Sequence, residues 1–217
     1  MKKYKIELTT EMIMIMENKI RKKKDIIRIL MEAISLLTYG KRVDRTTKDY
    51  LVLQFDKMKR LFIVQEHKIT TFNFPFNIEE NLLEDRLVVI DQLTEMELDG
   101  ANLAILRSIF NELIDGDDYF SLKDLDSDIE KIMDSFEIHT AKDELWLIMK
   151  HLMEFEAGYL RRDYDSIREN GRIHPLNHLD INYSNGATYK IGLNSTKSVD
   201  ELINILDSNT ECSFISD

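Results

Sequence analysis

Cysteine is nearly missing from this sequence: Cys212 stands alone among 217 residues. A single thiol excludes an internal disulfide and any zinc site built on paired cysteines, and it fits a reducing compartment, so a cytoplasmic location is expected. Proline is as scarce, with only Pro75 and Pro175, and no low-complexity tract, internal repeat or obvious linker interrupts the chain. No run of about 18 or more apolar residues occurs, which excludes a membrane-spanning helix and a membrane partner. The lysine-rich start, Met1 to Lys5, is followed by Glu7, Glu11 and Glu17 instead of an apolar stretch, so it does not read as a secretory signal. Positive charge is also in deficit: 29 Lys and Arg face 40 Asp and Glu, a net charge of -11. That balance opposes general attraction to phosphate backbones and confines any nucleic-acid contact to local basic patches. A glycine-rich phosphate loop, a Gly-x-Ser-x-Gly elbow and a His-Glu-x-x-His helix are all missing, and no cofactor is expected.

What is present is enough apolar residue, 43%, to build a core. From Glu11 to Thr38 the positions Ile13, Met16, Ile20, Ile27, Leu30, Ile34 and Leu37 step by threes and fours, with Lys23 in the one charged slot. This predicts a single long amphipathic helix ending near Gly40, docked on the rest of the chain in preference to a coiled-coil partner. The stretches Tyr50 to Phe55, Leu61 to Val64 and Ile69 to Phe74 are β-branched and aromatic between charged turns, and predict a three-stranded antiparallel meander. A helix from Asn77 to Gly100 is then expected, with Asn77 and Glu80 as a cap pair, followed by helices over Ala101 to Ile114, Leu122 to Phe136 and Ala141 to Phe155. Ser121 with Asp124 and Thr140 with Asp143 read as the caps of the last two.

Beyond Gly158 strands return. A three-residue loop at Ser184-Asn185-Gly186 puts Leu179, Ile181, Tyr183, Ala187, Tyr189 and Ile191 on one apolar face. The other face then carries His178, Asp180, Asn182, Thr188 and Lys190, with Asp180 directly across from Lys190. Ser198 and Glu201 cap a last short helix through Leu206, and Cys212 to Ile215 read as an edge strand. The expected fold is one α+β domain over residues 1–217. Its antiparallel sheet comes from the early meander and the C-terminal hairpin, packed with the long N-terminal helix, and the helical segment at about 77–157 forms an insertion or subdomain.

Chemistry-bearing residues concentrate in Tyr159 to Asp165 and His174 to Asp180, which hold two of the five histidines and one of the two prolines. Alternation places Arg161, Asp163 and Asp165 on one side of their strand, and that side can continue into the face of His178, Asp180 and Lys190. Such a cluster suits an anion such as phosphate, with Arg161, Asp180 and Lys190 as ligand-binding residues and His174, His178 and Asp163 as acid/base candidates. Pro175 would hold His174 near His178. The competing reading is an ordinary ion-pair network between neighbouring strands, with a histidine pinning its loop. His174, His178 and Asp180 or Asp163 could supply metal ligands, yet their spacing matches no specific metal motif, so no metal is expected. The acidic stretch Asp115 to Asp128 fails as a calcium loop, because Gly116 as its sixth residue places Asn111, Leu113 and Leu122 at ligand positions. Lys19, Arg21, Lys22, Lys23, Lys24 and Arg28 form the main basic run, which a phosphate backbone or acidic partner could use but which reads first as a charged helix face, since Glu17 and Asp25 interleave.

Arg161-Arg162-Asp163-Tyr164-Asp165 followed by His174-Pro175-Leu176-Asn177-His178-Leu179 resembles a family of uncharacterised bacterial proteins, a domain of unknown function. Members carry an Arg-aromatic-Asp-Tyr-Asp strand and then His-Pro-x-x-His-Leu, after an early meander ending in a strand like Thr71 to Pro75. This chain departs from them with Arg162 in place of the aromatic and Ser166 where a proline often follows. The resemblance implies an accessory protein of phage defence or a toxin-antitoxin pair. Two functions follow. The expected one is a non-catalytic subunit that holds a protein partner through its acidic surface or the Glu11 to Thr38 helix; the alternative is a metal-independent, ribonuclease-like phosphodiester-handling effector. Enzymatic activity is left undecided between them.

Overall fold

The computed structural model describes residues 2–44, 46–84, 86–115, 125–135, 142–182 and 189–214. The expected turn at Ser184 to Gly186, the cap residues Ser121, Asp124 and Thr140, and Ile215 lie outside them. The fold is α+β, with an antiparallel seven-stranded sheet, a two-stranded sheet and six helices among the described residues. No helix among the described residues is long and apolar enough to cross a membrane. Two compact units result.

The first unit comprises Met1–Lys22, Lys41–Phe74 and Ala157–Asp217. Its strands are β1 (Lys2–Glu7), β2 (Tyr50–Phe55), β3 (Lys59–Val64), β4 (Lys68–Asn73), β7 (Leu160–Tyr164), β8 (Asn177–Ile181) and β9 (Tyr189–Gly192), adjacent in that order and antiparallel throughout. The meander is the expected one, and β1 extends it. The Leu51-Val52-Leu53 and Leu61-Phe62-Ile63 runs are buried on both faces, which is why they read as continuous apolar stretches. On one face Val52, Phe62, Ile69 and Leu179 meet Val199, Leu202 and Ile203 of α6 (Val199–Leu206). That helix begins with the expected capping box, in which Ser198 Oγ accepts from Glu201 N and the Glu201 carboxylate accepts from Ser198 N at 2.8 Å. Cys212 to Phe214, in contrast, form no strand.

The expected helix from Glu11 to Thr38 is two helices, α1 (Thr10–Glu17) and α2 (Lys23–Tyr39). Thr9 caps α1, and Asn18 ends it in extended backbone. The break falls where Lys19, Arg21, Lys22, Lys23 and Lys24 would stack like charges along one helix, and where Lys23 leaves the apolar seam without a residue. Ile20 is nonetheless buried inside the connecting segment.

The second unit comprises Lys23–Gly40 and Pro75–Glu156. It contains α2, the hairpin β5 (Asn77–Asn81) and β6 (Arg86–Ile90), and the helices α3 (Gly100–Asp115), α4 (Leu125–Ser135) and α5 (Lys142–Glu154). The expected helix from Asn77 to Gly100 is therefore wrong. Asn81 Oδ1 accepts from the amides of Leu83 and Glu84, a side-chain-stabilised turn, and Val88-Val89-Ile90 supplies the β-branched run that a strand favours. Arg107 on α3 ties to α2 through Glu32 Oε2 at 2.8 Å and Ser35 Oγ at 3.0 Å.

Candidate functional site

The site is built by strand pairing in the first unit. Asp163 pairs with His178 and Arg161 with Asp180, while on the other side Asp163 pairs with Lys68 and Arg161 with Thr70. Paired residues share a face, so Lys68, Arg161, Asp163, His178 and Asp180 all project from one side of the sheet. β9 adds Lys190 opposite Asp180, in the register expected from the odd-length loop. Contrary to a solvated polar surface, this face is covered: His178 is 1% exposed, Asp163 8% and Asp180 7%.

Arg161 organises the carboxylates. Its Nε donates to both oxygens of Asp163 at 2.9 Å, and its Nη2 donates to Asp163 Oδ2 at 2.6 Å and Asp180 Oδ2 at 2.7 Å. Burial works against the guanidinium charge, but the bonds to Asp163 outweigh it and hold Arg161 above the ordinary arginine value. Tyr159, whose hydroxyl lies 3.4 Å from Arg161 Nη1, is raised in pKa by burial. Lys68 donates to the Met16 carbonyl at the end of α1, and burial, then the neighbouring Arg161, lower its pKa against the opposing pull of Asp163 and Glu17.

His178 Nδ1 lies 2.8 Å from the Pro175 carbonyl, which can only accept, so the ring proton is assigned to Nδ1. Nε2 then faces Asp163 Oδ2 at 3.4 Å and Asp180 Oδ1 at 3.9 Å. His174 is brought beside His178 as expected, ring edge to face with centroids 4.7 Å apart. Its Nε2, however, points to Asp165 Oδ2 at 3.9 Å. Asp165 is also the partner of Arg168; burial raises its pKa, but the Arg168 bonds prevail and leave it below the carboxylate range. Lys190 Nζ remains 3.9 Å from Asp180 Oδ1, too far for a hydrogen bond.

A cleft of about 450 Å³ opens over this face, with Asp163 and Asp180 among its lining residues. Lys19, Arg21, Lys68, Arg161 and Arg168 outnumber Glu17, Asp163 and Asp180 around it, so the cleft is locally cationic in a chain of net charge -11. Sequence reasoning missed Lys68 and Arg168, and for Lys19 and Arg21 it preferred a charged helix face to a phosphate contact. The signal for Lys68 was its place one residue before the Ile69 to Phe74 alternation; for Arg168 there was none beyond its nearness to Asp165. In the second unit Asp91 and His151 also escaped notice: Asp91 Oδ1 lies 3.0 Å from His151 Nδ1, while Oδ2 accepts from Leu93 N and Thr94 N. No family model, curated protein or solved structure matches this chain.

Proposed function

We propose that this protein is a phosphodiester-handling effector working at the Arg/Asp/His cluster of the first unit. The observation that carries the reading is the convergence of five cationic side chains on one cleft of an acidic protein, directly over Asp163 and Asp180. An acidic chain repels polyanions at long range, so a cationic cleft selects where a phosphate can settle. Arg161 is committed to the two carboxylates and Arg168 bonds Asp165, so the phosphate meets the outer side of Arg168, whose side chain is 64% exposed, together with the Lys19 to Arg21 segment. Below them, His178 is held in one tautomer with Nε2 toward the carboxylates, an arrangement suited to taking up a proton or a cation at that atom. The defence or toxin-antitoxin setting implied by the Arg161 to Leu179 motif is a natural place for such an effector. The test is expression in growing bacteria: growth arrest with RNA breakdown is expected, lost in a folded His178→Ala variant. Unimpaired growth with intact RNA contradicts the reading.

A second reading, a subunit that holds a protein partner, is favoured by Leu82 and Leu83, which are 85% and 98% exposed at the β5–β6 turn. Of the two surfaces expected for that partner, the acidic surface and the helix over Glu11 to Thr38, the helix seam has Ile20 and Ile27 buried. Leu83→Asp should abolish co-purification of a partner if this reading holds; retention of the partner in the variant counts against it.

A further inference from the structure

Three donor atoms converge beneath the cleft. His178 Nε2 lies 3.4 Å from Asp163 Oδ2 and 3.9 Å from Asp180 Oδ1, and all three can be chosen within 4.8 Å of one another. An ion about 2.0–2.2 Å from each of three N and O donors needs those donors about 3–3.6 Å apart, so the His178–Asp163 pair already fits and the wider separations, all within 4.8 Å, close by side-chain movements of at most about an ångström. The three residues come from two hydrogen-bonded strands, Asp163 paired with His178 and Asp180 two positions further along the same face. Their backbone positions are therefore fixed by the ladder.

Two further observations point to a ligand there. Asp180 is 7% exposed, and its Oδ1 accepts no hydrogen bond among the described residues. A buried carboxylate oxygen left this way is costly unless something else satisfies it, and Lys190 Nζ at 3.9 Å does not. The second is the orientation of the shell around the donors. His178 spends its Nδ1 proton on the Pro175 carbonyl at 2.8 Å, as metal-bound histidines almost always do, and Arg161 orients both carboxylates, holding Asp180 by Oδ2 and Asp163 by Oδ1 and by the donor oxygen Oδ2 itself.

We propose that Asp163, His178 and Asp180 bind one divalent metal ion of the zinc or manganese class, leaving a coordination position open to the cleft. One imidazole and two carboxylates without a thiolate suit these ions, and three protein ligands with an open position are the arrangement of catalytic sites. The inference supplies the phosphodiester reading with a Lewis acid where the sequence leads one to expect none. It rests on that reading for the use of the metal, while its binding stands on the geometry.

The test uses the full chain, stripped with chelator and titrated calorimetrically with Zn²⁺ and with Mn²⁺. One ion per chain is expected, bound at least about tenfold more weakly by Asp180→Asn and by His178→Ala. Histidine ¹⁵N spectra of the wild-type protein keep the test independent of how the variants fold: on Zn²⁺ addition the His178 Nε2 resonance should move while Nδ1 keeps its proton. No binding, undiminished binding in both variants, or an unmoved Nε2 overturns the site. Metal bound by a protein that leaves RNA intact supports the site and refutes the phosphodiester reading. RNA cleavage by a protein that binds no metal does the reverse.

Discussion

Arg161 reaches from β7 across to Asp180 on β8, its Nη2 2.7 Å from Oδ2, while the same guanidinium grips both oxygens of Asp163. One cation thus holds two buried carboxylates, whereas Lys190, the residue paired with Asp180, stands 3.9 Å away with a side chain 36% exposed. Removing one partner of a buried ion pair leaves an uncompensated charge. Arg161→Ala in metal-free protein should therefore cost about 3–5 kcal/mol. Lys190→Ala should cost at most about 1 kcal/mol, as exposed pairs do. Denaturant midpoints of the two variants check the contrast, and equal losses would contradict it.

A second expectation concerns acid. Asp91 is fully buried; burial raises its pKa, but bonds from His151, Thr94 and Leu93 outweigh that and hold it below the carboxylate range. A carboxylate depressed in the folded state stabilises fully above its unfolded pKa of about 3.9, and that contribution is lost as pH falls through the folded value. Asp91→Asn should cost about 2 kcal/mol at neutral pH, as lost bonds to a charged group do. It should also flatten the acid limb of a plot of unfolding free energy against pH. An acid limb identical to that of the wild type would show that Asp91 does not carry it.

The α6 side of the sheet offers a packing test. Leu202 is fully buried among Val52, Phe62 and Leu179. Leu202→Ala should lower stability by about 2–5 kcal/mol through lost burial and the cavity left behind. The loss is read from the melting temperature together with denaturant unfolding, and a loss under about 1 kcal/mol would mean that α6 is only loosely docked.

Where one signal dominated, the fold was legible from sequence. The apolar runs of β2 and β3 could only be buried strands, the Ser198 and Glu201 spacing marked α6, and the parity of the β8–β9 loop placed Asp180 opposite Lys190. Where two signals compete, periodicity alone misleads. Leu83, Leu87, Ile90 and Leu93 are spaced like a helix face, yet the Asn81 turn and the Val88-Val89-Ile90 run decide for a hairpin, and Leu83 ends up almost fully exposed. The seam from Met16 to Ile27 hid a break because only charge repulsion marked it. For the site, the sequence identified the cluster and its shared face. It could not reveal that Arg161 is consumed by Asp163 and Asp180, nor that Lys68, Arg168 and the segment after α1 line the same cleft, since these meet only through tertiary pairing.

Arg168 separates binding from stability. Its exposed side chain pairs with Asp165 at the cleft edge, so Arg168→Ala should change stability by at most about 1 kcal/mol. RNA binding should weaken several-fold and depend less steeply on salt, because one phosphate contact has been removed. Fluorescence anisotropy with a labelled oligoribonucleotide at several salt concentrations measures both effects. An unchanged salt slope would place the phosphate elsewhere.

The central claim, that the cleft over Asp163, His178 and Asp180 handles phosphodiesters, is tested most directly by incubating the purified protein with RNA in the presence of Zn²⁺ or Mn²⁺. The wild-type chain should cleave it, and Asp163→Asn and His178→Ala proteins with native-like circular dichroism should lose at least about a hundredfold in rate, the scale of acid/base catalysis. Intact RNA with the wild-type protein, or equal cleavage by all three, would contradict the account.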